Sequence, residues 1–171
     1  MSETEYEFLD TKNGRTFRFH GERLAFETTE DPARPVSKPR WSEIHIFITP
    51  GDQYVLVKRG CSLVYHGSRD CGRGGQHHTE MTVATMAEKH DIRIPCRKCD
   101  AGLKTYEDYV YLENDLTTVT TTPSARGLVE SAHVVDADEV LFLPNMAQRA
   151  LVTAAEKDTK IREAFAVQII D

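Results

Sequence analysis

The chain has 171 residues, 40 % of them apolar and 28 % charged, with a net charge of −6. That suits one folded domain, or one domain with a small metal-held lobe, and excludes wholesale disorder. No apolar run reaches the roughly 20 residues a membrane helix needs, and the start, "MSETEYEFLD", lacks the apolar segment of a secretory signal, so a cytoplasmic protein with no membrane partner is expected.

The opening stretch, "EYEFLDTKNGRTFRFHGERLAFETTE", contains Asn13-Gly14, two residues that tolerate positive φ and mark a turn. Tyr6 and Phe8 before the turn alternate with polar residues, as do Phe17 and Phe19 after it. This predicts a β-hairpin with Phe17 and Phe19 on one face, followed by a third strand over Leu24–Thr28. Residues 1–29 thus form an N-terminal hairpin and strand. Residues 30–40, "EDPARPVSKPR" from Glu30, hold three prolines and read as a linker or surface loop.

Residues 41–104 carry the strongest β pattern. Strands are predicted over Trp41–Thr49 and Gln53–Lys58 around a Pro50-Gly51-Asp52 turn, with another over Ser62–Tyr65. His45 lies between Ile44 and Ile46 and projects opposite to them, which predicts a solvent-side or cross-strand residue and not a ligand. A glycine-rich loop, "GRGGQHHTE", is predicted after Cys71, then a short helix over Thr82–His90. In residues 105–171, strands are predicted over Tyr106–Leu112 and Glu139–Pro144, and the threonine-rich "TTVTTTPSARG" is ambiguous. The last helix is the clearest. Ala147, Ala150, Leu151, Ala154 and Ala155 share one face, with Asn145 as N-cap and Gln148 completing a capping box. Asp158 would cap a further helical turn through Phe165, and "AVQIID" would end as a strand. The expected fold is α+β: a single domain over 1–171, with a twisted antiparallel sheet packed on the C-terminal helix and a zinc-knuckle lobe.

Four residues suggest that lobe. Cys96 and Cys99 in "PCRKC" can chelate one metal through two sulfurs, and Zn²⁺ wants four ligands in a tetrahedron. His66 and Cys71 bracket "GSRD", read as a loop that brings both side chains to one point, giving Cys3His. Four ligands close the coordination sphere, which makes the Zn²⁺ structural. Cys61 sits inside an apolar strand and reads as a small buried residue. His77 and His78 compete with His66 for the fourth place, and His90 is more remote. A redox dithiol, a catalytic cysteine and a chance spacing stay open as alternatives.

The stretch "RWSEIHIFITPGDQYVLVKRGCSLVYHGSRDC" with the later "PCRKC" resembles a group of small uncharacterised proteins from actinobacteria and their phages, and more distantly the EXLDI proteins. "NMAQRALVTAAEKDTKIREAF" is similar to their final helix. The resemblance implies the zinc site and an actinobacterial or phage origin, in the second case in the host cytoplasm. It implies no activity. The group carries Arg at the position of Cys61, and its spacers are shorter than "GRGGQHHTEMTVATMAEKHD".

Charge is uneven: 7 basic against 10 acidic residues over 1–57, 9 against 5 over 58–104, and 5 against 12 over 105–171. Three functional readings follow. The first is a non-catalytic, zinc-stabilised interaction or regulatory protein with a protein partner. The second is a nucleic-acid-binding protein using Arg69, Arg73, Arg93, Arg97, Lys98 and Lys104. The third is a small metal-dependent nuclease or hydrolase built on His77, His78, Glu80 and His90.

Overall fold

A computed structural model of the chain describes residues 4–31, 33, 40–62, 64–71, 75–82, 94–95, 103–104, 111–112 and 116–170; within 64–71, 75–82, 94–95, 103–104, 111–112 and 167–170 the description is of the backbone alone. Two compact units emerge. One comprises Met1–Asp31, Trp41–Gly60 and Asp115–Asp171, and the other Pro32–Arg40 and Cys61–Asn114.

The first unit is α+β. Its sheet begins with β1 (Thr4–Asp10) and β2 (Arg15–Thr28), paired in antiparallel register with Phe8 opposite Phe17 and Tyr6 opposite Phe19. Asp10 shapes the connection: its Oδ1 accepts from the amides of Lys12 and Asn13, and Gly14 takes φ 70°. The predicted third strand over Leu24–Thr28 is the second half of β2. The strand runs on through Gly21, a position where any Cβ would lie 2.6 Å from the Ile48 carbonyl oxygen. Without a side chain there, β2 passes from pairing with β1 to pairing with β3 (Arg40–Ile48), where a register shift between Arg23 and Ala25 bends it.

β4 (Tyr54–Ser62) follows the predicted turn, in which Asp52 adopts φ 57°. It extends past Gly60, further than its sequence pattern predicts. The fifth strand, β10 (Leu116–Thr122), comes from the threonine-rich stretch and pairs antiparallel with β4, Gly60 opposite Leu116 and Tyr54 opposite Thr122. The strand order is β1-β2-β3-β4-β10. The sheet curls until its edges meet: Thr11 N donates to Thr117 O at 2.8 Å, and Val119 N donates to Asp10 Oδ2 at 3.1 Å. The Val119 amide, opposed by burial and reinforced by the Asn13 and Lys12 amides, holds the Asp10 carboxyl below its ordinary range.

Alternation along β3 and β4 divides the apolar residues between two cores. Phe47, Val55, Val57 and Val119 fill the inside of the curl with Tyr6, Phe8, Phe17 and Phe19 against them. Ile44, Ile46, Tyr54 and Leu56 face the other way, onto the helices. Three helices cover that face, not one. α1 (Ala125–Ala132) starts at Ser124, whose Oγ accepts from Gly127 N at 3.0 Å. α2 (Asn145–Lys157) buries Ala147, Ala150, Leu151, Ala154 and Ala155, the face read from the sequence. Its N-cap is Pro144 with no side-chain bond, so the expected Asn145 capping box does not form. Asp158 caps α3 (Thr159–Ile170) through Oδ1 to the amides of Lys160 and Ile161, as expected, and its Oδ2 accepts from the Tyr54 hydroxyl at 2.9 Å. Burial, then that carboxylate, pushes the Tyr54 phenol well above its ordinary value. α3 continues through Ile170 where a terminal strand was expected. Between α1 and α2, Val134–Val135 (β11) and Leu141–Phe142 (β12) form a small hairpin, with Val135 opposite Leu141. No helix among the described residues is long and apolar enough to cross a membrane.

In the second unit β5 (Val64–Cys71) pairs antiparallel with β6 (Gly75–Thr82) and with β9 (Tyr111–Leu112), while β7 (Ile94–Pro95) pairs with β8 (Leu103–Lys104). The predicted loop "GRGGQHHTE" is therefore largely strand. The predicted helix over Thr82–His90 and most of the Pro-rich linker lie outside the described residues.

Candidate functional site

The sequence places chemistry in the second unit. His66 and Cys71 both lie on β5, so "GSRD" between them is strand and not the expected loop. His66 is paired with Glu80 and Tyr111, and Cys71 with Gly75. A separation of five gives the two positions opposite parity along the strand. Arg69, two residues before Cys71, pairs with His77, whereas Ser68 pairs with His78. Cys96, Cys99 and His90 lie outside the described residues, as do Arg73, Arg93, Arg97 and Lys98. Among the described residues no group of three or more His, Cys, Asp or Glu side chains could hold a metal ion. Cys61 is buried, as expected of a small apolar residue.

The first unit carries two polar constellations that the sequence reading did not assemble. One lies at the end of the inner core. Glu43 accepts from Trp41 Nε1 at 3.1 Å through Oε1, while its Oε2 takes Arg59 Nη1 at 2.9 Å and His45 Nε2 at 3.1 Å. Burial pushes the Glu43 carboxyl up, but the bonds from Trp41 and His45 and the charge of Arg59 outweigh it and hold the group below its ordinary range. His45 is 7 % exposed and stands opposite Phe26 across the β2–β3 pair, so of the two expected positions it takes the cross-strand one and not the solvent-side one. The alternation is as read, but the curl of the sheet encloses the face to which His45 points.

Burial depresses the His45 imidazole, and Glu43 restores only part of the loss. The ring is neutral. A carboxylate can only accept, so the proton sits on Nε2 and Nδ1 keeps its lone pair. That buried Nδ1 has no hydrogen-bond partner among the described residues. Phe26, Phe8 and Phe47 surround the ring at 4.7, 5.5 and 5.9 Å between centroids. The pair has the wiring of a general base, with a carboxylate orienting an imidazole. The imidazole is buried among aromatic rings, however, which suits a polar strut within the core.

A pH test follows from the sign of the His45 shift. In the unfolded chain the imidazole takes up its proton near pH 6.5, above the folded value. Its contribution is therefore present above about pH 6.5 and is lost as pH falls through the lower folded value. Chemical denaturation at pH 7.5 and 5.5 is expected to show a loss of stability in the wild type and a smaller loss in His45→Phe. Equal losses would assign the effect to other histidines.

The second constellation is on the helix-facing side of the same strands. A cavity of about 320 Å³ is lined by Ser42, Ile44, Lys58, Leu116, Val134 and Met146 among others. Lys58 Nζ donates to Ser131 O, near the end of α1, at 3.2 Å. Burial lowers its ammonium below the ordinary lysine value. Beyond the cavity, Val135, Val140, Leu141 and Phe142 are between 43 % and 64 % exposed on and beside the β11–β12 hairpin, an apolar group too concentrated for scattered surface residues.

No family model matches the chain, nor does any curated protein or solved structure.

Proposed function

We propose that the protein is a non-catalytic interaction protein whose second unit is stabilised by one structural Zn²⁺. The observation that carries the reading is the exposed apolar β11–β12 hairpin. Val135 and Leu141 form a cross-strand pair that stays 60 % and 64 % exposed among the described residues. Such a pair suits a protein partner.

The zinc half rests on Cys71, Cys96 and Cys99. Ile94–Pro95 and Leu103–Lys104, which flank the stretch holding Cys96 and Cys99, pair antiparallel, and this is compatible with a metal knuckle between them. The fourth ligand comes from the β5–β6 hairpin: sequence spacing supports His66, and strand register supports His77. Structural zinc is worth on the order of 10–16 kcal/mol in small modules.

Purified protein is expected to contain one zinc per chain, and Cys96→Ser and Cys99→Ser to lose it together with the second unit's protection from proteolysis. Of His66→Ala and His77→Ala, the one that loses zinc identifies the fourth ligand. Absence of zinc above background in the wild type overturns the metal half. For the interaction half, Leu141→Asp is expected to leave the thermal midpoint unchanged and to abolish partner capture from lysate of the source cell. Identical capture by the variant would move the interface elsewhere.

A further inference from the structure

The cavity beside Lys58 combines apolar walls with the Lys58 ammonium. Ile44, Leu116, Val134, Met146 and Ala147 supply the walls. Three charged residues line it: Glu43, Lys58 and Arg59. Glu43 and Arg59 are engaged with each other, and both Glu43 oxygens already accept hydrogen bonds. Lys58 is different. An ammonium offers three donors, and the acceptor found for Lys58 is the Ser131 carbonyl, a neutral group. Burial shifts it, and among the described residues no carboxylate pulls the other way. Half-burying a cation without a counter-ion is unfavourable, and an arriving anion relieves the cost.

We propose that this cavity binds a small apolar monocarboxylate, with the carboxylate on the Lys58 ammonium and the hydrocarbon against Ile44, Leu116, Val134 and Met146. Capping of α1 by Lys58 explains one donor and leaves two for the ligand. The volume lies at the lower end of small-molecule pockets and fits a medium-length acyl chain better than a protein segment. The site belongs to the first unit and does not rest on the zinc reading.

Octanoate, below its micelle-forming concentration, is the probe, with octylammonium as the control of equal length and opposite charge. Titration calorimetry on the full chain is expected to show saturable octanoate binding and at least about tenfold weaker binding of octylammonium, one decade being about 1.4 kcal/mol. Lys58→Met keeps most of the side-chain volume and is expected to weaken octanoate at least about tenfold on the same scale. Thr118→Phe, at an exposed position on the cavity wall, keeps Lys58 and is expected to block the site by filling it. The proposal is overturned if folded wild type gives no octanoate heat, if Lys58→Met binds octanoate as tightly as wild type, or if octylammonium binds equally well.

Discussion

Phe47→Ala is expected to destabilise the first unit by about 3–5 kcal/mol, read as a lowered denaturant midpoint. Phe47 is fully buried at the centre of the inner core. Tyr6 lies 4.5 Å from its ring, Phe19 5.2 Å and Phe8 5.8 Å, so one residue contacts both strands of the N-terminal hairpin. These rings sit on the closing side of the curl and have little else to bury against. The loss is a large share of the roughly 5–15 kcal/mol that holds a typical domain. Phe47→Leu, which keeps most of the volume, is expected to cost clearly less. If Phe47→Ala shifts the midpoint no more than Phe47→Leu, the aromatic cluster is not what closes the sheet.

The second large effect is expected on the opposite face. Leu151→Ala should cost about 2–5 kcal/mol. Four of the five buried residues of α2 are alanines, which lets the helix approach the sheet closely and leaves Leu151 as the large side chain that fills the contact. Around it are Ile46, Leu56, Leu128 and Ile161, all buried. Its removal leaves a void that closely packed neighbours refill only in part. Denaturation monitored by helical circular dichroism checks this. A change below about 1 kcal/mol would mean that α2 shifts to fill the space, as it could only if the alanine face permitted sliding.

What the sequence made legible was set by local pattern. The Asn13–Gly14 hairpin and the buried face of α2 each carry a turn or a period that no distant contact alters. α1 was missed because Gly127 and the preceding threonines argue against a helix. The signal lay in Ser124 followed by Ala125, Leu128, Val129 and Ala132 at helical spacing. At Gly127 a Cβ would come within 3.2 Å of the Ser124 hydroxyl, so the glycine accommodates the cap and does not break the helix.

The Glu43–His45–Arg59 group was invisible for a different reason. Its burial depends on β1 meeting β10, a contact between residues about a hundred positions apart. A clue was present in four aromatics, Tyr6, Phe8, Phe17 and Phe19, all on one face of a hairpin and in need of an opposing surface. Lys58 follows Tyr54 and Leu56 at alternating positions and so was bound for the helix side, but nothing in the sequence says that a cavity forms there.

Gly60 and Leu116 stand opposite each other across the last pair of strands, although the whole stretch from Cys61 to Asp115 separates them along the chain. That stretch leaves and rejoins its host, the first unit, at two positions that the β4–β10 ladder holds together, while the shorter Pro32–Arg40 piece leaves it separately. A guest lodged in this way can be lengthened, exchanged or trimmed over generations without rethreading the host, because the two ends that must stay together are already held by the host's own ladder. The histidines and cysteines would then be free to change at a different pace from the scaffold that carries them.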